Sequence, residues 1–252
     1  MALFKDQPIS CMNEWLAYDS KLSILSAQES TSIDAKSILA QKEIETQLTG
    51  FLLRHSGLGE SAARQLLNRV VITEALQRWH SMLTLNLFYA DLASLQNSEL
   101  HREQSKYYDV KATSAREQLY DTGVGIVNQP VPRPELPAIS SVPGTNPPRI
   151  LRARIRLVGD NDAVGSPSNE FILDMSTGQE LTLALVSMPE NVRRWQLFIG
   201  ENSDTLMLAT LGSVPAGQPF AVTAAMPSTT TLLDFASQIP DRFVRYTTDL
   251  WR

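Results

Sequence analysis

The chain has 252 residues, enough for two domains, and its 43% hydrophobic and 19% charged content is that of a folded protein. A net charge of -5 and a sequence pI near 5.3 exclude a surface whose main partner is free nucleic acid, because phosphate binding needs a basic footprint. A single cysteine, Cys11, excludes an intramolecular disulfide and a cysteine-based zinc site within one chain, and it reads as a small buried hydrophobe.

The opening MALFKDQPISC lacks the apolar run of a signal peptide, and no stretch approaches the roughly 20 apolar residues of a membrane span, so a cytoplasmic site of assembly is expected. From Asn13 to Gln28, Trp15, Leu16, Tyr18, Leu22 and Leu25 recur at helical spacing and predict one short amphipathic helix. Ser30, Thr31 and Ser32 offer caps for a helix over IDAKSILAQKEIETQLTGFLLRH, which SGLGE stops. A third helix is predicted over Ser61 to Asn68. Thr73 opens the longest periodic stretch, with Trp79 and Phe88 as core anchors. Asn97 and Ser98 call for a kink or tight turn, and the Ser114/Glu117 capping box for a restarted helical turn ending at Gly123 and Gly125.

Seven of the 14 prolines fall between Pro130 and Pro148 and predict an extended, polyproline-like tether. From Ile150 the period becomes 2: Leu151, Ala153, Ile155 and Leu157 alternate with Arg152, Arg154 and Arg156, placing three guanidinium groups on one strand face. Further strands are predicted at Glu170 to Met175, Glu180 to Val186, Val192 to Gly200, Thr205 to Leu211 and Pro219 to Ala224, a spacing typical of an antiparallel β-sandwich. The expected organisation is α+β multidomain: an all-α domain over 1–127, a Pro-rich linker over 128–149, a β-sandwich over 150–226 and an extension over 227–252. Phe243, Tyr246, Leu250 and Trp251 make that extension too apolar for a free end, so it is expected to pack on this subunit or a neighbour.

No catalytic constellation stands out, and the chain reads as a non-enzyme without cofactor or metal. His55, His80 and His101 lack the i, i+4 spacing of metal ligands and read as surface or cap histidines. Asp160 and Asp162 in GDNDAVG lack the remaining calcium-loop ligands and read as a solvated hairpin loop. Glu99, Glu103 and Asp109 lie among Arg102, Lys106 and Lys111, where ion pairs along a helix are the ordinary outcome. The arginines at 152, 154 and 156 repel one another unless neutralised, either by acidic residues on adjacent strands or by an acidic neighbour. They join Phe243, Tyr246, Leu250 and Trp251 as candidate interface residues.

The run VVITEALQRWHSMLTLNLFYADLAS, then SAREQLYDTGVGIVNQPVPRPELP, resembles the helical domain of tailed-bacteriophage head-to-tail connector (portal adaptor) proteins over roughly Val70 to Pro137. RARIRLVGDNDAVGSPSNEF through RRWQLFIGEN resembles the immunoglobulin or fibronectin-III-like domains appended to virion proteins. The resemblance implies a structural virion protein of the neck, assembled in the host cytoplasm. It implies a homo-oligomeric ring, a dodecamer, that joins the portal protein to tail or neck proteins and extends a channel through which DNA passes without sequence-specific binding. The hydrophobic C-terminal extension departs from the tidiest pattern of that family. A second expectation is a virion-displayed module for carbohydrate or host surfaces. Trp195, alternating with Leu197 and Ile199, reads as core rather than as a sugar-stacking platform.

Overall fold

The computed structural model describes residues 2–28, 31–144, 147–210, 213–222, 231–234 and 238–246. Along the chain run α1 (Met12–Tyr18), α2 (Leu22–Gln28), α3 (Ile33–His55), α4 (Glu60–Leu67), α5 (Glu74–Gln96) and α6 (Glu99–Thr122). Strands follow: β1 (Val124–Ile126), β2 (Ala138–Val142), β3 (Ile150–Gly159), β4 (Phe171–Asp174), β5 (Glu180–Ala184), β6 (Val192–Gly200), β7 (Met207–Leu208), β8 (Val214–Pro215), β9 (Phe220–Val222) and β10 (Arg242–Val244). The protein is therefore mixed α+β. It divides into a helical unit, Leu3–Asn128 with the segment that begins at Pro240, and a β unit, Gln129–Ile239.

In the helical unit the caps lie where side-chain oxygens can meet the free first-turn amides. Ser32 accepts from the Ala35 amide at 3.2 Å, Thr73 from Leu76 at 3.4 Å and Ser98 from His101 at 3.4 Å. The helix expected from Asn13 to Gln28 is two helices. Asp19 turns extended, accepts the Lys21 amide on one carboxylate oxygen at 3.0 Å and the Tyr89 hydroxyl on the other, and so diverts the backbone from the helical ladder. Cys11, expected buried, is exposed at the N-cap of α1.

Asn97 adopts the left-handed conformation, φ 50°, and makes the tight turn between α5 and α6. No restart occurs at Ser114. α6 runs unbroken because Tyr108, Ala112, Ala115 and Leu119 form its buried stripe, while the polar HREQSK segment falls mainly on its outer side. α5 packs against both α3 and α6; Trp79 and Phe88 of α5 are buried, as are Leu48, Phe51 and Leu52 of α3. Each such side chain contributes roughly 2–3 kcal/mol by leaving water.

After α6, β1 pairs antiparallel with β10, Gly125 lying opposite Phe243. Gly123 ends the helix at φ 107°, and a Cβ there would lie 2.8 Å from the Phe243 Cβ; one on Gly125 would lie 2.7 Å from the Pro240 ring. Both glycines admit the returning chain, which the Asp241 carboxylate fixes by accepting the Asn128 amide at 2.7 Å. In chain order the β unit is thus an insertion between two paired strands of the helical unit, and the extension expected over 227–252 divides at Pro240.

The β unit has a three-stranded sheet, β2-β5-β9, and a five-stranded sheet, β4-β3-β6-β7 with β8 also on β6; every pairing is antiparallel. Alternate residues of both sheets fill one core, including Leu151, Ile155, Leu181, Leu183, Trp195 and Val222. The segment 128–149 is not the expected tether. Val131 belongs to that core, and its peptide is held on both sides by the Gln238 amide, at 2.8 Å for each bond. Ala138–Val142 is an edge strand on β5. Proline forbids a helix and a central strand, but Pro137 and Pro143 flank an edge strand without costing a ladder bond.

Candidate functional site

The arginine ladder on β3 is neutralised within the β unit. Arg152 pairs with Glu170, and the Arg154 guanidinium lies 3.9 Å from the same carboxylate. Hydrogen bonds from Arg152, then from Ser203, hold the Glu170 carboxyl below its usual range. Arg156, only 8% exposed, pairs with Asp234, donates to Gln196 Oε1 at 3.0 and 3.2 Å, and covers the Phe198 ring at 5.1 Å. The acids of GDNDAVG are likewise taken: Asp160 by Arg193 at 2.7 Å and Asp162 by Arg194. Trp195 is fully buried, edge-on to Phe220 at 6.2 Å, and presents no stacking platform.

Of the other candidates, Phe243 sits on β10 and is half-exposed. The Tyr246 amide donates to the Tyr120 carbonyl at 3.0 Å, and its ring lies 4.8 Å from His55. Leu250 and Trp251 fall outside the described residues. Tyr246 closes one end of a cleft of about 890 Å³ in the helical unit, an open groove with one wall from α3 and the other from α6. Gln47, Gly50, Leu53 and Arg54 line the α3 wall; Arg116, Glu117, Tyr120 and Asp121 line the other. Phe51 and Tyr120 stack at 4.1 Å, and Arg116 donates to Gln47 at 3.2 Å, joining the two helices. Burial pushes the Tyr120 hydroxyl up, against the opposing pull of the Arg116 and Arg54 guanidinium groups. Periodicity alone does not reveal this groove, because it arises where two helices, bonded across 69 residues from Gln47 to Arg116, converge on a returning chain segment.

A second polar cluster lies beneath the helices. Trp15 Nε1 donates to Ser10 Oγ at 2.7 Å, Ser10 Oγ meets His80 Nδ1 at 2.6 Å, and His80 Nε2 meets the Ser37 carbonyl at 3.1 Å. With the carbonyl demanding a proton on Nε2, Nδ1 accepts from Ser10 and the ring is neutral. Desolvation by burial lowers the His80 pKa to about 4, opposed by the bond to Ser37. His80 is thus wholly buried rather than a surface or cap residue, and Ser10, 3% exposed, cannot reach a substrate. Among the described residues no three acidic, histidine or cysteine side chains are grouped to hold a metal ion, and no helix is long and apolar enough to cross a membrane. Comparison with protein-family models, curated proteins and solved structures finds no match.

Proposed function

We propose that this chain is a structural virion protein of a tailed phage, a head-to-tail connector whose subunits form a homo-oligomeric ring between the portal and the tail or neck proteins. The observation that carries the reading is an apolar row left on the outside of α6. Leu100, Tyr107 and Val110 are each more than half exposed, and at intervals of seven and three residues they fall within an arc of about 80°. A monomer gains nothing from such a row, whereas a subunit interface buries it. The long α5–α6 hairpin is a suitable ring wall, and the resemblance of Val70 to Pro137 to connector helical domains supports the same role. The β unit, with two antiparallel sheets around buried Trp195, is read as an immunoglobulin or fibronectin-III-like sandwich displayed by the ring. An acidic chain lining the channel would pass DNA without gripping it. The buried state of Trp195 favours this reading over a carbohydrate-binding module.

Negative-stain imaging and light scattering of the purified protein, with and without portal rings, test the proposal. Rings, or portal-dependent assembly, are expected, and Tyr107→Lys with Val110→Asp should abolish them while leaving the helical circular dichroism intact. A wild-type monomer that ignores portal rings would overturn the reading.

A further inference from the structure

The corner between α1 and α2 faces the α5–α6 hairpin across a separate open cavity of about 460 Å³, within the range of small-molecule sites. Tyr89 and Tyr108 give it a stacked wall, with ring centroids 5.6 Å apart and 12° between the planes. Leu25, Leu100 and half-exposed Tyr18 add apolar surface. Burial, then the Asp19 charge, pushes the Tyr108 hydroxyl up to about 12, so it keeps its proton at neutral pH. That hydroxyl forms no hydrogen bond among the described residues. Two opposite charges, Asp19 and Lys21, line the same cavity without pairing. Elsewhere the chain closes such gaps: Asp160, Asp162 and Glu170 each meet an arginine. Asp19 is held instead by the Lys21 amide at 3.0 Å and by the Tyr89 hydroxyl, which fix the carboxylate and leave about half of its lone-pair positions open. The exposed Lys21 ammonium has no acidic partner among the described residues and keeps all its N–H donors.

We infer that this cavity binds a small zwitterion, a free α-amino acid with an apolar side chain. The Asp19 carboxylate holds its ammonium, the Lys21 ammonium holds its carboxylate, and its side chain lies against Leu25, Leu100 and the tyrosines. The unpaired charges select this class. A simple anion would be drawn to Lys21 but repelled by Asp19, a simple cation would meet the reverse, and a neutral ligand would leave both charges without a counter-ion. A molecule that carries both signs on one carbon satisfies both groups. The α-carbons of Asp19 and Lys21 lie at most about 7 Å apart along the chain, and the flexible lysine stem closes the remaining distance. The Tyr108 hydroxyl is a further partner for either end of the ligand.

The test is isothermal titration of the full chain with L-leucine, N-acetyl-L-leucine, L-leucinamide and glycine. L-leucine should bind saturably, and blocking its ammonium or its carboxylate should weaken binding roughly tenfold or more, since each block removes a charge-assisted contact. Glycine, which lacks the apolar side chain, should also bind more weakly. Lys21→Gln changes an exposed side chain without an ion pair, so helical circular dichroism should be retained. In that variant L-leucine should bind no better than L-leucinamide, whereas N-acetylation should still weaken binding. No saturable binding of L-leucine at millimolar concentration, equal binding of the blocked forms or of glycine, or wild-type binding by Lys21→Gln overturns the inference. None of these readings depends on ring formation or on the portal, so the connector proposal and this one fail separately.

Discussion

The helical unit buries an uncharged polar chain, Trp15 to Ser10 to His80, whereas the β unit keeps full charges and pairs them at or near its surface, Arg152 and Arg154 with Glu170 and Arg156 with Asp234. The difference follows from geometry. His80 has no exposure to water within the helical unit, so its ring is kept neutral. A strand turns every second residue outward, so three alternating arginines can remain charged beside acids on neighbouring segments. The contrast teaches that the two units answer acid in different pH windows, although both are built on apolar cores.

The most severe way to break the comparison is to remove a core rather than a polar group. Trp195→Ala, at a site with no exposure, should cost the β unit about 3–5 kcal/mol. Hydrogen exchange should then show protection lost across β3, β5 and β6 but kept in α3, α5 and α6. Equal loss in both units would mean that they do not unfold separately.

Acid sharpens the contrast next. The folded-state pKa of His80 is depressed to about 4 from 6.5, so the unfolded chain binds the extra proton first as pH falls. The stability held by the neutral ring is complete above pH 6.5 and is lost progressively toward pH 4, about 3 kcal/mol in all. The Glu170 carboxyl is also depressed, and its contribution is present above its ordinary value of 4.5 and lost below it, as pH falls through the folded pKa. Between pH 6.5 and 4.5, then, the His80 ring gains its proton in the unfolded chain but stays neutral in the fold, while Glu170 stays ionised. Urea denaturation followed by the helical circular dichroism should show a midpoint that falls across that interval. His80→Asn should flatten the dependence, and a slope unchanged in that variant would assign it to other groups.

The smallest effect belongs to the surface pair. Glu170→Gln should cost no more than about 1 kcal/mol, because exposed ion pairs are screened and pay the entropy of two ordered side chains. The loss should shrink further in high salt, which thermal melts at two ionic strengths can check.

What was legible in the sequence is what neighbouring residues decide. The caps Ser32 and Thr73 act within one turn, the periods of α3 and α5 are carried by their own apolar residues, and the switch to alternation at Ile150 marks β3 directly. The arginine ladder could be read, and so could its need for acids, but Asp234 as the partner of Arg156 lies 78 residues away. Composition also misplaced three features. Proline content implied a tether where Val131 is clamped by Gln238, polarity implied a break where α6 exposes one face, and His80, between Trp79 and Ser81, gave no sign of burial.

By itself, then, the sequence determined α3, α4 and α5, most of the strands and the boundary between the two styles of structure, because hydrogen bonds to residues three or four positions away and side-chain alternation are local properties. Only the tertiary structure decided that the chain returns to the helical unit at Pro240, pairs β10 with β1, and leaves an open groove beside Gly50. The bond from the Asn128 amide to Asp241 spans 113 residues, and a contact of that separation is set by the whole packed core, with no period along the chain to announce it.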